Sequence, residues 1–150
     1  MAGFRNPSGD EIDAFLRRIR TIAVVGLSAN SSRPSYGVAR ALQSFGYTVV
    51  PVNPGIESVL GQRCWPSLAA AVEGAGAPID LVDVFRLPQH VPAIVNECIR
   101  LGLPALWLQD GVIDEASALR AQAAGLFTVM DRCVYRDRAM LAGARPLGYA

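Results

Sequence analysis

The chain has 150 residues and a mass of 16.0 kDa, and its 51% apolar content suffices for one core in a single domain over 1–150 with no need of staples. Fourteen basic residues stand against thirteen acidic ones, a formal charge of +1, so no overall field draws nucleic acid or an anionic membrane and any anion site must be local. All fourteen are Arg and His90 is the one histidine, which excludes Schiff-base chemistry, a Walker-type P-loop and a His-rich zinc site.

Ser8 is placed to cap a first helix over about 8–20, with Ile12, Phe15, Leu16 and Ile19 on one face. Five apolar runs follow, at 21–25, 47–52, 79–85, 105–109 and 126–130. Each is too continuous for a half-exposed strand, which predicts a parallel sheet covered on both faces. Between them, Val38, Leu42 and Phe45 recur at helical spacing, Ser67 opens "LAAAV", Pro88 opens "QHVPAIVNECIRLG", and Asp114 caps "EASALRAQAAG". A closing helix is expected in "DRCVYRDRAMLAG", which ends the core at about 141, and "ARPLGYA" reads as a loose tail. Right-handed crossovers on such a series give an α/β doubly wound sheet of order 3-2-1-4-5, with ligands beyond the carboxyl ends of the strands. Cys64, Cys98 and Cys133 lack CxxC spacing and are read as reduced thiols of a cytoplasmic protein. No run reaches the roughly 18 apolar residues of a membrane span, so no membrane is expected as a partner, and one histidine with scattered cysteines leaves no metal motif.

The stretch "GLSANSSRPSYG", Gly26 to Gly37, stands where such a fold keeps its phosphate loop. Its glycines do not make the dinucleotide fingerprint, and the second strand ends at Asn53-Pro54 instead of an acidic ribose reader. The loop is nonetheless rich in what an anion requires. Ser28, Asn30, Ser31, Ser32 and Ser35 supply neutral donors, Arg33 a charge, and a helix start is expected near Tyr36-Gly37. The same residues also suit a plain polar loop in which Ser35 is a helix cap and Pro34 sets the direction of the chain.

Taken together, "AVVGLSANSSRPSYGVARAL", "GYTVVPVNP", "VLGQRCWPSL", "DLVDVFRLPQHVPAIV", "LWLQDGV" and "VMDRCV" resemble the small stand-alone CoA-binding-domain proteins, which are similar to the nucleotide-binding domain of the succinyl-CoA synthetase alpha subunit. The resemblance covers roughly residues 15–141 and implies a Rossmann-like fold with CoA or an acyl-CoA across the carboxyl edge of the sheet. It implies that Gly26, Ser28, Asn30, Arg33, Tyr36 and Gly37 line the diphosphate. Asn53, Pro54, Val84, Phe85 and Arg86 would then border the adenosine, with Gln109 and Gly111 towards the pantetheine arm. The basic residue that many members carry after Asn-Pro is replaced here by Gly55-Ile56-Glu57, which leaves two alternatives: Arg33 or Arg86 as reader of a 3′-phosphate, or another adenine nucleotide as the ligand.

No catalytic set is evident. Asp83 with Arg86 and Asp131 with Arg132 read as structural ion pairs, Trp65 and Trp107 as core or rim, and Cys133 first as a buried inert thiol and second as a thiol beside Arg132 open to a mixed disulfide with CoA. The expectation is a cytoplasmic, non-catalytic module for a small-molecule nucleotide, able to dock onto a larger enzyme. The alternative is an NAD(P)-binding or CoA-thioester enzyme subunit.

Overall fold

The computed structural model describes residues 3–141; the tail expected from "ARPLGYA" lies outside them. Helix α1 (Gly9–Arg18) starts at Ser8, whose Oγ accepts the Glu11 N–H at 3.2 Å while Glu11 Oε1 accepts the Ser8 N–H at 3.2 Å. Then come β1 (Thr21–Val25), α2 (Pro34–Ser44), β2 (Thr48–Val52) and a small antiparallel pair, β3 (Ser58–Val59) with β4 (Gln62–Arg63). Helix α3 (Leu68–Gly74) and β5 (Leu81–Val84) lead through a 3-10 turn (Pro88–His90) into α4 (Val91–Arg100). The chain closes with β6 (Ala105–Leu108), α5 (Glu115–Ala123), β7 (Phe127–Met130) and α6 (Val134–Ala139). Ser67 and Asp114 cap α3 and α5 as expected, their side chains accepting from the Ala70 and Ser117 N–H groups.

The five long strands form one parallel sheet in the order β2-β1-β5-β6-β7, with helices on both faces: the doubly wound, Rossmann-like α/β fold. The apolar run at 79–85 therefore lies directly beside β1 and not outside β2. The outer place in the 3-2-1-4-5 pattern is held by Trp65, bridged in parallel to Val52: Asn53 N–H donates to Trp65 O and Trp65 N–H to Pro51 O, both at 2.9 Å. One bridged residue counts as the rudimentary third strand, too short to read as an apolar run.

Side chains alternate between two packed layers. Ile22 and Val24 of β1 and Trp107 of β6 pack against α1, α2 and α6; Ala23, Val25, Leu106 and Leu108 pack against α3, α4 and α5. Trp107 is wholly buried and its indole N–H donates to Arg132 O at 2.8 Å, so it belongs to the core, as expected. Helix α2 leaves β1 over one face and α4 leaves β5 over the other. The divergence opens a crevice between the carboxyl ends of β1 and β5. No helix among the described residues is long and apolar enough to cross a membrane.

Candidate ligand-binding site at the carboxyl edge of the sheet

Gly26, the first residue past β1, has φ of +87° and donates its N–H to Val52 O at 2.9 Å. A Cβ there would stand 2.5 Å from Phe85 O and 2.9 Å from Arg86 Cδ, so only glycine lets the β1 loop lie against the segment leaving β5.

The loop beyond it is braced from within. Ser28 N–H donates to Ser35 Oγ and Asn30 N–H to Ser28 Oγ, each at 3.0 Å; Asn30 Oδ1 accepts from the Ser32 N–H at 3.0 Å and its hydroxyl at 2.7 Å. Ser35 is thus not a helix cap. It lies inside α2, which starts two residues earlier than expected because Pro34 suits the first helical position. The hydroxyls of Ser28 and Ser35 accept from the loop and keep their own protons available to a ligand.

Three cavities meet here. The first, about 570 Å³, is walled by Gly26, Asn53, Pro54, Ser67, Arg86 and Glu97. The second, about 280 Å³, has Gly26, Ser28, Arg33, Pro34, Ser35 and Phe85. The third, about 610 Å³, includes Pro34, Arg86, Gln109, Gly111, Cys133 and Arg136. Phe85 borders all three, so together they form a trough running across the carboxyl edge from the end of β2 to the start of α6.

Nine of the expected site residues lie in these walls: Gly26, Ser28, Arg33, Asn53, Pro54, Phe85, Arg86, Gln109 and Gly111. The other four stand elsewhere. Asn30 is exposed and braces the loop, Tyr36 packs on the α1/α2/α6 layer, Gly37 borders a separate groove with Phe45 and Tyr135, and Val84 is wholly buried facing α3 and α4. Asn53 is itself engaged: its Nδ2 donates to Leu27 O at 3.0 Å and its Oδ1 accepts the Gly55 N–H at 2.8 Å. Ser67, Glu97, Pro34 and Arg136 are wall residues that sequence reasoning missed. Ser67 and Pro34 carried only helix-start signals, and Glu97 and Arg136 carried none.

The guanidiniums of Arg33 and Arg86 make no hydrogen bond or ion pair with any described residue. Arg136 is instead held by Asp110 at 2.5 and 2.8 Å, and this hydrogen-bonded guanidinium lowers the Asp110 carboxyl from its usual range. The expected pair of Asp83 with Arg86 does not form. Positions three apart on an extended chain point to opposite faces, and Asp83 stands in register between Val24 and Trp107 inside the apolar layer. Both its oxygens lack a partner, and burial pushes its carboxyl well above the usual range. Asp131 and Arg132 also turn apart: Asp131 Oδ1 accepts the Gly111 N–H at 2.8 Å, while Arg132 grips Asp137 at 2.8 and 2.6 Å.

A parallel sheet with an open, donor-rich crevice at its switch point is the doubly wound α/β architecture, whose ligand position lies beyond the carboxyl ends of the strands. Residues 20–138 match the CoA binding domain family, to which this chain belongs. The YneT protein of Bacillus subtilis (strain 168) is 38% identical over 130 residues, covering 87% of this chain and 93% of that protein. A solved protein from Pyrococcus horikoshii OT3 superposes with a TM-score of 0.84 at 32% identity, over 95% of this chain and 100% of that one. The ADP-forming acetate–CoA ligase II of Archaeoglobus fulgidus is 24% identical over 99 residues, which are 64% of this chain but 14% of the ligase.

Proposed function

We propose that this protein is a single-domain module that holds CoA or an acyl-CoA along the trough and catalyses no reaction of its own. The observation that carries the reading is the middle cavity, where Gly26 brings the β1 loop against Phe85 and the unpaired Arg33 joins the hydroxyls of Ser28 and Ser35. That is a diphosphate's donor set: one exposed charge just before α2 and two neutral hydroxyls, Ser28 in the loop and Ser35 in the first turn of the helix. The larger cavities on either side suit the two ends of a long ligand. We assign the adenosine to the side of Asn53, Pro54 and Arg86, and the pantetheine arm to the side of Gln109 and Gly111. Family membership supports CoA over other dinucleotides. A cytoplasmic protein working beside a larger enzyme is in keeping with the ligase relative, in which the matched region is one part of a longer chain.

Arg86 is the one basic residue among the described residues of the first cavity, and Glu97 stands in the same wall. Recognition of a 3′-phosphate therefore falls to Arg86. The test is the thermal unfolding midpoint with CoA, dephospho-CoA, NAD and NADP at one concentration. A ligand at 100 times its dissociation constant adds about 2.7 kcal/mol, which raises the midpoint of a domain of this size by several degrees. CoA is expected to do so and NAD and NADP are not. A shift with NAD or NADP alone would overturn the reading, and equal shifts with CoA and dephospho-CoA would show that Arg86 does not read the 3′-phosphate.

A further inference from the structure

The three cysteines occupy unlike places. Cys98 lies wholly buried in α4, where burial pushes its thiol up to about 12. Cys64, whose Sγ donates to Asn53 O at 3.5 Å, is likewise raised by burial. Neither borders any of the three cavities, but Cys133 stands in the wall of the third, just before α6. Two further features mark that wall as built for a ligand. Gln109 is only 4% exposed; its Oε1 accepts the Val134 N–H at 3.0 Å, and its Nε2 is left with no partner among the described residues, in the wall of the same cavity. That nitrogen is not among the sealed polar atoms that lack a partner, so it stays open to donate to whatever occupies the cavity. Arg136 is the second: it stands in the same wall as Cys133 at the start of α6, and its guanidinium donates to both oxygens of Asp110 at 2.5 and 2.8 Å.

We propose that Cys133 is a modification site, which captures the thiol end of the bound ligand as a mixed disulfide. The proposal rests on the CoA reading above and deepens it, since it names the chemistry that regulates the same trough. The co-reactant is the symmetric disulfide of CoA. The Cys133 thiolate attacks one sulfur of that disulfide, the bond from Cys133 Sγ to the first CoA sulfur forms, the disulfide bond breaks, and the second CoA leaves as a thiolate that takes a proton from water. The Cys133 sulfur is oxidised from thiol to disulfide level as the departing CoA sulfur is reduced from disulfide to thiol level, so no further oxidant is needed, and a free thiol reverses the step. Gln109 Nε2 donates to a carbonyl of the arm and Arg136 stabilises the attacking thiolate. The trough would thereby respond to the balance of oxidised and reduced CoA: an adduct closes it to exchange and reduction reopens it.

The experiment is incubation of the full chain with CoA disulfide, followed by intact mass and peptide mapping. A parallel incubation uses glutathione disulfide, and unfolding midpoints are recorded with reduced CoA. One adduct per chain is expected, mapped to Cys133, removed by excess dithiothreitol and absent from Cys133→Ser. Its formation should outpace glutathionylation by about tenfold or more, because binding positions the reacting sulfur. Absence of an adduct from Cys133 while reduced CoA still raises the midpoint overturns the mixed disulfide and leaves the binding reading standing. Absence of both the adduct and the shift overturns both. Equal rates with the two disulfides overturn capture by the site, since they show a thiol that reacts without recognition.

Discussion

The two ends of the sheet are built from the same strands and treat their polar atoms in opposite ways. At the amino end, Asp80 Oδ2 accepts the N–H groups of Arg20 at 2.8 Å and Thr21 at 2.9 Å, while Asp80 N–H donates to Thr21 O and Thr48 N–H to Arg20 O, both at 2.9 Å. A cavity of about 280 Å³ does exist there, but Pro78, Ile79, Leu103 and Pro104 wall it and its charged residue, Asp80, is already engaged. At the carboxyl end, Arg33, Arg86 and the Gln109 amide nitrogen are left open around the trough. The contrast separates two uses of polarity in one fold: saturated groups fix the chain's passage between elements, and open ones await a ligand.

The largest effect should come from the point where the carboxyl end is tightest. Gly26→Ala is expected to cost about 3 kcal/mol or more, because a positive φ is combined with a backbone clash at Phe85 O. Gly111→Ala has a similar φ of +77° with nothing within 4 Å of the added carbon, so only about 1 kcal/mol should be lost. Urea denaturation of the two variants measures the difference, and equal losses would show that the approach to Phe85 is not what requires glycine.

At the amino end, Asp80→Ala should lower stability by about 2 to 3 kcal/mol by leaving two backbone N–H groups without their acceptor. The affinity for CoA should stay unchanged. Arg33→Ala is its mirror: the side chain is exposed and unpaired, so stability should hold, while binding should weaken by about 2 kcal/mol if the guanidinium meets a phosphate. Titration calorimetry with denaturation on both variants tests the division. An Arg33 variant that binds CoA as well as the parent chain would remove it from the site.

Much of this division was legible in the sequence. The step from a continuous apolar run to Gly26 marked the phosphate-loop position, and Ser8, Ser67 and Asp114 marked helix starts that the structure confirms, because strand continuity and capping are local properties. What escaped depends on contacts between distant segments. The place of β5 beside β1 turns on which crossover passes over the sheet, and Trp65 alone bridges to the outer edge of β2. The trough collects Ser67, Glu97, Cys133 and Arg136 from three separate helices or their flanks, and no spacing within any one of them announces the meeting. Asp83 and Arg86 looked paired on paper for a related reason: closeness in sequence says nothing about which face of a strand each residue takes.

Asp83 is also the exception to the contrast between the ends, since it lies between them with neither oxygen paired. Asp80, three residues earlier, satisfies the backbone; Asp83 stands between Val24 and Trp107, and burial favours its neutral form. The consequence has a definite sign. In the unfolded chain the carboxyl ionises near its ordinary value of about 3.9, but in the folded chain it holds its proton to much higher pH, so the folded state binds more protons. Stability is then full below the unfolded value and falls as pH rises towards the folded one, by at most about 1.4 kcal/mol per pH unit. Asp110 and Glu97, whose carboxyls are lowered by Arg136 and Arg100, change stability in the opposite sense and only in acid, with small surface effects. Denaturation across about pH 5 to 8 therefore isolates Asp83. The parent chain should weaken with rising pH and Asp83→Asn, which cannot ionise, should not. Parallel curves for the two would mean that the carboxylate finds a partner when charged, and the saturation seen at the amino end would then extend through the middle of the sheet.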